Sequence, residues 1–154
     1  MTKDEVWFVG SSIVSFLPFQ KNFKVEEKYT FLYVDCFKSV KGRLLEITLN
    51  YSEQPERGFP KIIIFGISAP LSEDSEKKRE YKKICGFVQL IKEMYPQIKI
   101  LLIIKKPIYA VGDEAKTEIK TIKKESSANH VCYLLHDFQK FLSEIDQTME
   151  VSTL

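Results

Sequence analysis

Apolar residues along the chain fall into five short unbroken runs, separated by longer stretches in which they recur every three or four positions; this alternation predicts strands and helices in turn. The first run, Val6-Trp7-Phe8-Val9, stops at Gly10-Ser11-Ser12 and passes into Ile13-Val14, the mark of a buried strand turning tightly into a helix. Residues 11–17 predict a short helix ended by Pro18, which lacks a backbone donor and disfavours helix at the residue before it, and 19–27 read as a connector. Tyr29-Thr30-Phe31-Leu32-Tyr33-Val34 has the aromatic and β-branched make-up of a second strand. After Gly42 a helix is expected, with Leu44, Leu45, Ile47, Thr48 and Tyr51 on one side.

Pro55, Gly58 and Pro60 punctuate the approach to a third run, Lys61-Ile62-Ile63-Ile64-Phe65-Gly66, whose lack of alternation suits a parallel strand covered on both faces. Ser72-Glu73-Asp74-Ser75 begins the longest helix: the serines offer caps, the acids suit the positive end of the dipole, and Tyr81, Ile84, Val88, Ile91 and Tyr95 form its apolar stripe up to Pro96. Ile98 to Ile104 is a fourth strand. Pro107 and Gly112 make a loop, and Asp113 caps a helix with Ala115, Ile119 and Ile122 inside and Lys116, Lys120, Lys123 and Lys124 outside. Val131-Cys132-Tyr133-Leu134-Leu135 is the fifth strand, His136-Asp137 the turn, and 138–145 the last helix, leaving 147–154 as a flexible tail. Five strands alternating with helices predict an α/β protein, a three-layer αβα sandwich around a five-stranded parallel sheet.

Composition narrows the function less than the fold. With 154 residues, 44% of them hydrophobic, the chain is expected to form one domain over 1–146. Its 23 basic and 21 acidic side chains nearly cancel, so a nucleic-acid partner has to be argued from local charge, here the lysine stripe 116/120/123/124 with Lys77, Lys78, Lys82 and Lys83 on the long helix. Glu114, Glu118 and Glu125 interleave with that stripe, which suits a solvated helix face. No run is long enough to span a bilayer, and the start, Met1-Thr2-Lys3-Asp4-Glu5, lacks the order of a secretory signal. Cys36, Cys85 and Cys132 stand singly, as reduced thiols do in a cytoplasmic or nuclear protein, two of them in apolar contexts. No spacing implies a metal or a cofactor: Gly10-Ser11-Ser12 at a helix start could attract an anion, but neither a dinucleotide nor a P-loop fingerprint accompanies it.

Three stretches, taken in order, resemble the sequence blocks of the SGNH (GDSL-type) hydrolases: Phe8-Val9-Gly10-Ser11-Ser12-Ile13, Lys38-Ser39-Val40-Lys41-Gly42-Arg43-Leu44-Leu45, and Pro60-Lys61-Ile62-Ile63-Ile64-Phe65-Gly66-Ile67-Ser68-Ala69. The resemblance implies a flavodoxin-like fold of the SGNH type, with Ser12 as nucleophile, the backbone of Ser12 and Gly42 as oxyanion donors, and Gly10, Ser11, Gly66 and Ser68 lining the pocket. Ser68 replaces the family's asparagine donor and Ala69 its following aspartate, a change worth about a hundred- to a thousand-fold in turnover. The family's Asp-x-x-His has no copy. His136 stands where its histidine would, but Asp137 is adjacent and its side chain diverges, so it cannot orient His136. The reading is therefore a catalytically degenerate SGNH-like domain kept as an intracellular protein-interaction scaffold, with a protein partner or a homodimer. The alternatives are a serine esterase or acetylhydrolase using Ser12 with His136, and a nucleic-acid-associated accessory domain. The double serine is also explained as a helix cap alone.

Overall fold

The computed structural model describes residues 4–9, 28–50, 58–67, 75–105, 113–134 and 137–150. The elements are β1 (Asp4–Val9), β2 (Tyr29–Val34), α1 (Phe37–Asn50), β3 (Ile62–Ile67), α2 (Ser75–Met94), β4 (Lys99–Ile104), α3 (Asp113–Ser126), β5 (His130–Tyr133) and α4 (Phe138–Glu150). All pairings are parallel, and the strands lie in the order β2-β1-β3-β4-β5. The expected five-stranded parallel sheet and flavodoxin-like αβα sandwich are thus the observed architecture. The short helix over 11–17 and the connector to 27 lie outside the described residues.

The unbroken apolar runs make sense once the two faces of the sheet are separated. Side chains alternate along a strand, so Trp7, Val9, Ile63, Phe65, Ile100 and Leu102 point to one face, where Val40 and Leu44 of α1, Tyr81, Ile84 and Val88 of α2, and Ile122 of α3 close over them. Val6, Phe8, Ile62, Ile64, Leu101 and Ile103 point to the other, against Phe141 and Ile145 of α4. A strand covered on both sides gains by burying every residue, at about 25 cal/mol per Å² of apolar surface. That is why β3 is buried along its whole length. The phenylalanines Phe8 and Phe141 stack at 5.8 Å between ring centroids and fix α4 over β1.

Three elements differ from expectation. Helix α1 starts at Phe37 rather than near Gly42: the Cys36 carbonyl accepts the Val40 N–H at 3.1 Å, and Val40 and Leu44, one turn apart, form the buried stripe. Gly42 is carried inside the helix because packing outweighs its weak propensity of about 1 kcal/mol. Leu45, expected inside, is 56% exposed. Helix α4 runs on to Glu150; Thr148 is fully buried with its hydroxyl donated to the Glu144 carbonyl at 2.7 Å, and Met149 packs on the core beneath. Strand β5 begins one residue early, at His130, whose ring pairs with the Glu144 carboxylate on α4.

Candidate functional site

The order β2-β1-β3-β4-β5 reverses at β1: the chain crosses from β1 to one neighbour and then returns to build on the other side. Open α/β sheets bind ligands at the carboxyl ends of the strands beside such a reversal. A cleft of about 180 Å³ lies there, floored by Val9, Phe65 and Gly66 and walled by Asp35, Cys36, Glu80 and Lys105. Lys105 follows β4 directly, its backbone N–H bound to the Ile67 carbonyl at 2.8 Å, and its ammonium lies 3.8 Å from Glu80 on α2. That carboxylate is half exposed, so the pair orients the lysine more than it stabilises the fold.

Cys36 is the nucleophilic group of this rim. It is exposed, one residue ahead of α1, and its Sγ lies 3.5 Å from the Ser39 hydroxyl. Hydrogen bonds from the Ser39 side chain and then its backbone hold the thiol below its ordinary pKa. Cys85 and Cys132 are buried, and desolvation pushes both thiols up. No cluster of three or more histidine, cysteine or carboxylate side chains able to hold a metal occurs among the described residues. His130 is at the opposite edge of the sheet, opening β5. The described rim therefore offers ion pairing, carboxylates and a thiol.

Of the residues expected to carry chemistry, Gly42 and Gly66 are among those described. Gly66 does line the rim cleft, in register with Ile103 of β4. Gly42 is exposed on α1 and lines a different cavity; as the sixth residue of that helix its N–H falls among those bonded within the helix. Gly10, Ser11, Ser12, Ser68 and His136 lie outside the described residues. Lys116, Lys120, Lys123 and Lys124 are exposed on α3 as expected, but Glu118, placed with them on the solvated side, is turned into the core.

The second cavity is a groove of about 360 Å³ between α1 and α2, lined by Lys38, Lys41, Gly42, Leu45, Phe87, Leu90, Met94 and their neighbours. It is almost wholly apolar. Of the five large hydrophobic side chains exposed among the described residues, Leu45, Leu49, Leu90 and Met94 belong to α1 and α2, and only Tyr33 lies elsewhere. Leu45 and Leu49 are one turn apart, as are Leu90 and Met94, so each helix turns two apolar side chains to solvent beside its buried stripe, and Leu45, Leu90 and Met94 line the groove.

No family model matches this sequence, and no curated protein matches it either. Solved structures do. The chain is similar to the CheY-like response regulator receiver domain protein of Methanospirillum hungatei JF-1, with a TM-score of 0.57 at 10% identity over 97% of this chain and 95% of that one. It is similar too to the signal receiver domain of a Vibrio parahaemolyticus protein described as a Luxo repressor, with a TM-score of 0.55 at 11% identity over 97% and 92%. The fold is the CheY-like, flavodoxin-type sandwich. This receiver-like fold corrects the kinship read from the sequence: the structural neighbours are receiver domains and not SGNH hydrolases, and the degenerate-hydrolase scaffold falls with that kinship. The physical reason is plain in the blocks themselves. A glycine at the end of a strand serves the strand-to-helix turns of any doubly wound sheet, and Gly42, matched to the family's helix-start glycine, lies inside α1. The order of the blocks follows from the β-α alternation, which receiver-like folds share.

No helix among the described residues is long and apolar enough to cross a membrane.

Proposed function

We propose that the chain is a receiver-type domain of a signalling protein, acting by docking a protein partner. The observation that carries this reading is the exposed apolar stripe shared by α1 and α2: a monomeric surface scatters such residues singly, whereas a contiguous patch marks an interaction site. The receiver-like fold supports the assignment to signalling, since both solved neighbours are receiver domains. The rim cleft with Asp35, Cys36, Glu80 and Lys105 then serves as the end of the molecule where a small polar ligand is sensed, joined to the docking face through α1 and α2, which bring Phe37 and Glu80 to the rim.

Site-specific photo-crosslinking in cells tests the reading. A photoreactive side chain at Leu45 or Leu90 is expected to give a discrete protein adduct, while the same group at Lys120, on the exposed side of α3, gives none. Equal labelling at all three positions, or none at any, overturns it.

A further inference from the structure

We infer that the α1–α2 groove receives an acidic amphipathic helix from the partner protein, its apolar face on Leu45, Leu90 and Met94 and its carboxylates over Lys38 and Lys41. The inference rests on the docking reading and says what occupies the groove. A trough between two packed helices, lined by apolar side chains at three- and four-residue spacing, is the receptor half of helix-in-groove recognition.

Charge selects the occupant. The charged side chains lining the groove are both lysines, and no carboxylate lines it. Neither lysine forms an ion pair with a described residue. Lys38 sits in the first turn of α1, where the helix dipole is positive and cations are disfavoured, and Lys41 follows in the second. The other two helices on this face begin with acids, Glu76 on α2 and Asp113 with Glu114 on α3, whereas the first turn of α1 has none. Two ammonium groups lining an apolar trough that no carboxylate lines make a local positive field, which attracts carboxylates flanking an apolar stripe.

Gly42 supplies the room. A side chain added there would meet nothing within 4 Å, so the groove is open at that point and a partner backbone can come close. A second copy of this chain fits less well: an isologous contact brings the same patch to itself and supplies no carboxylates to the lysines. RNA would use the lysines and leave the apolar stripe unmatched.

The test is a selection of helix-forming peptides from a displayed library on the full chain, followed by titration of the selected peptides by fluorescence anisotropy. The enriched sequences are expected to carry leucine-like residues at three- and four-residue spacing with glutamate or aspartate beside them. Leu45→Asp, and separately Lys38→Glu with Lys41→Glu, are expected to weaken binding by roughly tenfold or more, the loss typical of a central anchor. Lys120→Glu is expected to leave it unchanged, and circular dichroism verifies the fold of each variant. Selected peptides that are not acidic, or that ignore Leu45→Asp, overturn the inference while leaving a docking role elsewhere on the surface. Failure to select any peptide overturns both. Self-association abolished by Leu45→Asp, or an RNA oligomer bound through Lys38 and Lys41, overturns the inference in favour of a second copy or a nucleic acid.

Discussion

The Tyr133 hydroxyl donates a hydrogen bond of 2.5 Å to the Glu118 carboxylate, and both side chains are buried where β5 meets α3. Burial, then the bond to Glu118, pushes the tyrosine up to about 12 from 10.0. Tyr133→Phe removes this donor from a buried acid and is expected to cost about 1–2 kcal/mol, read from urea unfolding. The sign with pH follows from the raised value. The neutral phenol is favoured in the folded chain, so its contribution is complete below pH 10 and is lost as the pH rises toward about 12. The stability gap between wild type and Tyr133→Phe should therefore narrow over that window, and a gap independent of pH would reject the linkage.

Asn129 ties three elements together. Its side-chain oxygen accepts the Ile100 N–H at 2.8 Å and the Lys92 ammonium at 2.9 Å, while its own N–H donates to the Ile100 carbonyl at 3.0 Å. Asn129→Ala strands a buried N–H at the start of β4, and we expect a loss of about 1–3 kcal/mol. Asn129→Asp keeps an acceptor and puts a carboxylate beside Lys92, so it should recover most of that loss at neutral pH. Thermal unfolding of the two variants side by side decides it.

How far these features could be read from the sequence depends on where their information lies. Ile62 to Phe65 has no polar residue to misplace, and its reading as a central strand needed only the unbroken run. Leu44 and Leu45 are equally apolar neighbours, and only the angle at which α1 meets the sheet buries the first and exposes the second. Glu118 looks like every other charge on its helix until Tyr133 is placed opposite. Asn129 looks like a turn residue until β4 is beside it. The rim residues Asp35 and Lys105 come from opposite sides of the reversal in strand order, which spacing alone does not reveal; Cys36 carried a local signal, a thiol one residue before a helix with a serine three positions on. The misassigned family came from the same cause, because turn residues report the turn and not the lineage.

The three thiols should react very unequally. Cys36 is exposed and held toward the thiolate by Ser39, whereas Cys85 and Cys132 are buried and pushed the other way. Brief alkylation of the native chain is expected to modify Cys36 alone, and Ser39→Ala should slow it by withdrawing the donor. Peptide mapping after iodoacetamide treatment checks both; early modification of Cys85 or Cys132 would contradict the packing of α2 and β5.

Gly42 separates stability from docking. It lies in the interior of α1, exposed, with a glycine's usual cost in a helix and with open space where a methyl group would go. Gly42→Ala is therefore expected to stabilise the chain by about 0.5–1 kcal/mol, since the new side chain restricts the unfolded backbone and meets no obstacle. The same methyl group intrudes on the groove beside Lys41 and Leu45. A longer side chain at this position, as in Gly42→Gln, should keep the gain in stability and obstruct the approach of a helix much more. Chemical unfolding and peptide binding measured on the same three proteins should thus move in opposite directions, stability rising from wild type to the variants and affinity falling with side-chain length. Parallel loss of both would mean that Gly42 serves the fold of α1 and not the surface beside it.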